Sequence, residues 1–178
     1  MKSIVLFAVF LLTLGFTVPH AEAQSLPEPR QSPLGLSRTM LGDTYVKVIY
    51  GRPYVRDRQI FGSLVPYGEV WRTGANESTE ITLTGDVFFD STPLPAGTYS
   101  VFTVPGPDEW TVILNSQLGL WGSYAYNSAF DVLRTRVPVK RTADKSEIFT
   151  ISLDKQDEEN VLLIMEWERT RVELPIRK

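Results

Sequence analysis

LPAGTYSVFTVPGPDEWTVILN, residues 94–115, decides the fold. Thr98–Val104 alternates: Tyr99, Val101 and Thr103 point one way, Ser100, Phe102 and Val104 the other. That two-residue period belongs to a strand. Pro105–Glu109 (PGPDE) is a turn, since proline presets φ and glycine admits conformations closed to other residues. Trp110–Asn115 then supplies a second run rich in β-branched and aromatic residues. The stretch reads as an antiparallel hairpin.

Working outward, the same signals repeat. Thr44–Tyr50, Glu80–Thr84 and Val87–Phe89 precede the hairpin, with a turn expected over 91–97. Asp131–Lys140, Glu147–Leu153, Val161–Trp167 and Arg171–Leu174 follow it, and DKQDEEN at 154–160 reads as an acidic turn. Residues 116–130 show no period and are expected to form a long loop, with at most a helical turn. The one helical candidate, Arg58–Leu64, is limited to a turn or two by Gly62. About nine short strands with frequent turns predict an all-β protein, an antiparallel β-sandwich of jelly-roll or Ig-like type, with a barrel as the competing architecture.

The chain opens with a basic start, an apolar run over Ile4–Val18 and an Ala21-Glu22-Ala23 cleavage pattern, so residues 1–23 are expected to be a signal peptide. The run is shorter than the roughly 20 residues a spanning helix needs, so no membrane insertion is expected. Export to the periplasm or cell exterior follows. Residues 24–38 are Pro- and Ser-rich and are expected to be a flexible lead-in, leaving 39–178 as a single domain. A net charge of −3 argues against nucleic acid as a partner. There is no cysteine, and the only histidine, His20, lies in the expected signal segment. Thiol and imidazole triads are thereby excluded from the mature chain, as are metal sites built on those ligands. No cofactor is expected, and oligomeric state is not legible.

Three stretches depart from strand logic: YGRPYVRDR (50–58), GEVWRTGANEST (68–79) and LGLWGSYAYNSAFDVLR (118–134). Arg52, Arg56 and Arg58 suit planar anions, or alternatively pair with Asp57, Glu69 and Glu77 as struts between loops. Trp71, Arg72, Asn76 and Glu77 form either a polar site or a stiff turn with Trp71 packed inward. Trp121, Tyr124 and Tyr126 offer aromatic faces for stacking on a sugar, or a hydrophobic cluster beneath a loop. Loops converge at the ends of a sandwich, so one ligand site is expected where Arg52, Arg56, Arg58, Trp71, Arg72, Asn76, Glu77, Trp121 and Tyr124 meet.

YGRP (50–53), IFGSLVPYGEVWRTGANEST (60–79), LPAGTYSVFTVP (94–105), EWTVILN (109–115), WGSYAYN (121–127), DVLR (131–134) and MEWERTRVELPI (165–176) together resemble the bacterial family catalogued as domain of unknown function 2911. The resemblance spans roughly residues 33–176. It implies an exported bacterial protein and carries no assigned activity or catalytic residues.

Three functional readings stand on the residues. The first is a binding module for a carbohydrate, a small anion or a protein ligand. The second is a hydrolase using two carboxylates, Glu77 with Asp57 or Glu69, which requires about 5–5.5 or 6.5–9.5 Å between them. The third is a purely structural protein in which arginines and carboxylates brace the loops.

Overall fold

A computed structural model describes residues 29–178. The expected signal peptide and residues 24–28 of the lead-in lie outside the described residues. The described chain is all-β and antiparallel, with no α-helix. Its nine strands are β1 (Leu34–Leu41), β2 (Thr44–Gly51), β3 (Thr79–Leu83), β4 (Val87–Phe89), β5 (Thr92–Leu94), β6 (Gly97–Val104), β7 (Glu109–Asn115), β8 (Asp131–Lys155) and β9 (Asn160–Arg177). They form one sheet in the order β1-β2-β3-β6-β7-β8-β9-β4-β5.

Three expectations are corrected. Residues 34–38, assigned to the lead-in, belong to β1, whose ladder to β2 runs from Leu34 opposite Gly51 to Leu41 opposite Thr44. Pairing, which sequence composition does not reveal, orders this Pro-flanked segment. The turn expected at 91–97 contains the three-residue β5, paired with β4. The two strand pairs expected at the C-terminal end are two long strands. The apparent breaks in β8 are register shifts between Arg141 and Ser146 and between Ser146 and Thr150. In β9, Glu168 takes a left-handed φ of 56° where the ladder bends. The helical candidate Arg58–Leu64 is a series of turns.

β8 joins two parts of the sheet. Residues 131–138 pair with β7, and residues 139–155 pair with β9. Beyond that handover the strand runs past the opposite edge. The Leu153 N–H donates to Ser37 Oγ of β1, and Phe149 N–H donates to the Pro53 carbonyl. The sheet thus closes over a core containing Val46, Val48, Ile81, Trp110, Phe149 and Trp167, each 2 % exposed or less. Burying a side chain of this size stabilises the fold by about 1.5–3 kcal/mol before entropy is counted. The alternation of Thr98–Val104 is present, yet Tyr99–Thr103 is buried on both faces. The reason is the 116–130 loop, which lies across the second face with Tyr126 against Phe102 at 5.0 Å between centroids.

Candidate functional site

The loop following β2, the 68–79 stretch and the 116–130 loop meet at one end of the sheet. The first contact is backbone on backbone. A Cβ at Gly51 would stand 2.0 Å from the Ala75 carbonyl oxygen, so only glycine permits this approach. Trp71 exchanges two backbone hydrogen bonds with Thr103 of β6, at 2.7 and 2.9 Å. The Thr79 hydroxyl donates to the Thr73 carbonyl at 2.6 Å. Gly122 N–H donates to the Asn76 carbonyl and Ser78 N–H to the Leu120 carbonyl, which seats the third loop on the second.

That seating is reinforced from β7 and β8. The Tyr126 hydroxyl donates to Asp131 Oδ2, Arg134 donates to both, and Asn115 Nδ2 donates to Asp131 Oδ1 at 2.8 Å. Burial, and then the hydrogen bond to Asp131, push the Tyr126 phenol above its ordinary value.

Backbone strain concentrates here. Of the six non-glycine residues with positive φ among the described residues, four lie in these loops: Arg56 (49°), Asp57 (55°), Thr73 (55°) and Asn76 (66°). Thr73 is the most costly, because a β-branched side chain crowds its own backbone in that region. It is fully buried, and its hydroxyl bonds Thr103 Oγ1 at 3.1 Å. Such conformations cost about 1–3 kcal/mol each and persist only where neighbours impose them.

The three loops, with residues 30–32 and Trp167 of β9, line an open cavity of about 530 Å³. Arg56, Arg58, Trp71, Arg72, Asn76 and Trp121 all line it. Trp71 forms the floor: its ring lies 5.9 Å from Trp167, nearly parallel, and 5.1 Å from Phe149. Its indole N–H donates to the Gly74 carbonyl at 3.1 Å. Trp121 is 58 % exposed at the wall.

The other three expected residues lie elsewhere. Arg52 leaves the cavity and reaches Thr150 on β8 at 3.5 Å, so it ties the end of β2 to the far side of the sheet. Glu77 sits on the rim, where Arg30 grips it through two hydrogen bonds of 2.7 and 2.8 Å. The Arg30 hydrogen bonds hold the Glu77 carboxyl below the usual carboxylate range. Tyr124, 86 % exposed, borders a neighbouring hollow of about 180 Å³ that shares Trp71 and Arg72 with the main cavity.

Sequence reasoning missed Arg30, Gln31 and Ser32, because lead-in composition hides a wall-forming role. Tyr54 and Trp167 were missed too. Tyr54 stands between Arg52 and Arg56 in a stretch already singled out, and the Arg56 guanidinium lies 5.6 Å from its ring centroid. Trp167 had no signal beyond a place in a strand.

The expected pairing of the arginines with Asp57, Glu69 and Glu77 is not found. Among the described residues, no carboxylate forms a salt bridge with Arg52, Arg56, Arg58 or Arg72. Backbone carbonyls orient the cavity arginines instead. Arg58 donates to Tyr54 and Val55, Arg56 to Gln31 and Arg72 to Gly74. Each guanidinium carries five N–H donors, so most remain unspent. The wall contains no Asp or Glu. Two-carboxylate hydrolysis needs an acid held protonated, whereas the Glu77 carboxyl is shifted the other way. Among the described residues, no group of three His, Cys, Asp or Glu side chains is placed to hold a metal ion. Nor is any described helix long and apolar enough to cross a membrane.

Residues 32–176 match the family model described as "Protein of unknown function (DUF2911)". No curated protein and no solved structure matches the chain. The matched span contains all three loops around the cavity and every strand of the sheet up to the last residue of β9, and the chain belongs to the DUF2911 family.

Proposed function

We propose that this protein is an exported β-sandwich binding module whose loop-end cavity holds a small anionic ligand. One observation carries the reading: Arg56, Arg58 and Arg72 line one cavity, and none of their guanidiniums forms a salt bridge among the described residues. Arginine keeps its charge at any working pH, and its planar fork matches carboxylate and phosphate oxygens. Backbone carbonyls fix the forks without neutralising them, which is the condition for a preorganised anion site. The strained loops fit the same reading, since strain collects where a fold must hold ligand-contacting groups in place.

A thermal-shift screen of residues 24–178 against succinate, citrate, phosphate, sulfate, calcium chloride and neutral sugars tests this. An anion selective for the folded state raises the melting midpoint by mass action, about 2.7 kcal/mol at a hundredfold excess over Kd. The Arg56→Gln and Arg72→Gln variants should lose most of that rise. Equal shifts in wild type and variants would contradict the proposal.

A further inference from the structure

We infer that the cavity selects an organic anion carrying at least two negative charges, and discriminates against neutral sugars. The inference rests on the reading of the cavity as an anion site and specifies what kind of anion it takes.

Charge gives the lower limit. Four arginines line the wall: Arg30, Arg56, Arg58 and Arg72. Arg30 is neutralised by its bidentate pairing with Glu77. The guanidiniums of the other three form no salt bridge among the described residues; the Glu147 carboxylate nearby accepts from the Arg56 backbone N–H at 2.8 Å. A ligand with one negative charge leaves two of these guanidiniums unmatched, while a dianion or trianion matches them.

Hydrogen-bond polarity gives the class. Guanidiniums only donate. The wall has no carboxylate, and its side-chain acceptors are confined to amides and hydroxyls, such as those of Asn76, Gln31 and Ser32. A neutral sugar brings a donor on every hydroxyl and would leave many of them without a partner. A polycarboxylate or a phosphate ester brings mainly acceptors.

The carbon part follows from the rest of the lining. Pro53, Leu64, Val65 and the exposed face of Trp121 are apolar. A bare inorganic ion leaves that surface uncovered, whereas a carbon skeleton bearing the charged groups covers it. A volume of about 530 Å³ is within the range of small-ligand sites, roughly 300–1,000 Å³.

The test is a calorimetric titration series at constant ionic strength, with acetate, succinate, citrate, inorganic phosphate, glucose 6-phosphate and glucose. Affinity should rise about tenfold or more from acetate to succinate, the step expected of an added charge-assisted hydrogen-bonded group. Either glucose 6-phosphate or citrate should be the tightest ligand, which separates phosphate ester from polycarboxylate. Inorganic phosphate should bind more weakly than glucose 6-phosphate, and glucose should give no heat. Arg58→Gln, checked for native near-ultraviolet circular dichroism, should reduce the gain from acetate to succinate. Succinate and citrate binding no more tightly than acetate, or glucose binding as well as either, would overturn the inference and leave the simpler anion reading intact. No heat from any anion would overturn both.

Discussion

Replacing Gly51 with alanine is expected to lower the melting temperature and disturb the cavity together. The new methyl would stand 2.0 Å from the Ala75 carbonyl oxygen and 2.8 Å from its carbon. Real Cβ contacts to backbone lie well beyond 3 Å, so the two loops must separate by more than an ångström. The 74–76 backbone cannot yield cheaply. The Gly74 carbonyl accepts from the Trp71 indole and from Arg72 Nε, and the Asn76 carbonyl accepts from Gly122 N–H. Overpacking of this kind costs typically about 1–3 kcal/mol, and more where backbone meets backbone. For a domain of this size each kcal/mol moves the midpoint by about 2–4 °C, so differential scanning calorimetry should record a fall of roughly 2–12 °C. Gly68→Ala is the control, because no atom lies within 4 Å of its added methyl and the cost comes from its φ of +78° alone. The fall should therefore be smaller, about 1 kcal/mol. A Gly51→Ala protein melting within 1 °C of wild type would refute the close-approach reasoning.

Three further outcomes are expected. Tyr126→Phe removes the hydroxyl between Asp131 and Arg134, which should cost about 0.5–1.5 kcal/mol and speed amide exchange across 118–127; unchanged exchange there would show that the loop is anchored by other contacts. Trp71→Ala should cost about 3–5 kcal/mol in chemical denaturation, because it empties the centre of an aromatic cluster. Glu77→Gln breaks the Arg30 pair, whose side chains are 46 % and 43 % exposed, so at neutral pH it should cost less than about 1 kcal/mol. The Glu77 pKa is lowered in the fold; its contribution is present above the unfolded value of about 4.3 and disappears as pH falls through the lower folded value. Stability of the Gln variant should accordingly fall less than wild type in that acidic window, as followed by acid titration.

The strands were legible because half-buried sheets impose a two-residue period, as Thr98–Val104 displays. Legibility failed where pairing overrides composition. Residues 34–38 look like linker and belong to a strand because β2 offers them a full ladder. The continuity of β8 and β9 was hidden by bulges and by Glu168, which interrupt the period without ending the strands. Arg56, Arg58, Trp71, Arg72, Asn76 and Trp121 were identifiable as loop residues out of keeping with strand logic, and they share one cavity. What sequence cannot supply is direction. Arg52, two residues from Tyr54, turns toward Thr150 while Arg56 and Arg58 turn to the cavity. Pairing of charges was equally invisible: Glu77 is taken by Arg30, 47 residues away, and not by the neighbouring arginines.

Arg72→Gln separates binding from bracing most directly. A guanidinium that pairs with a buried carboxylate leaves that charge stranded when removed, at a cost of about 3–5 kcal/mol. Arg72 has no carboxylate partner among the described residues, and its hydrogen bond to the Gly74 carbonyl is long, at 3.4 Å. The ligand-free variant should therefore melt within a few degrees of wild type, while its affinity for succinate or citrate falls by about tenfold or more, the worth of one charge-assisted contact. A variant that melts far below wild type, with anion affinity unchanged once refolded, would contradict the account and make Arg72 a brace.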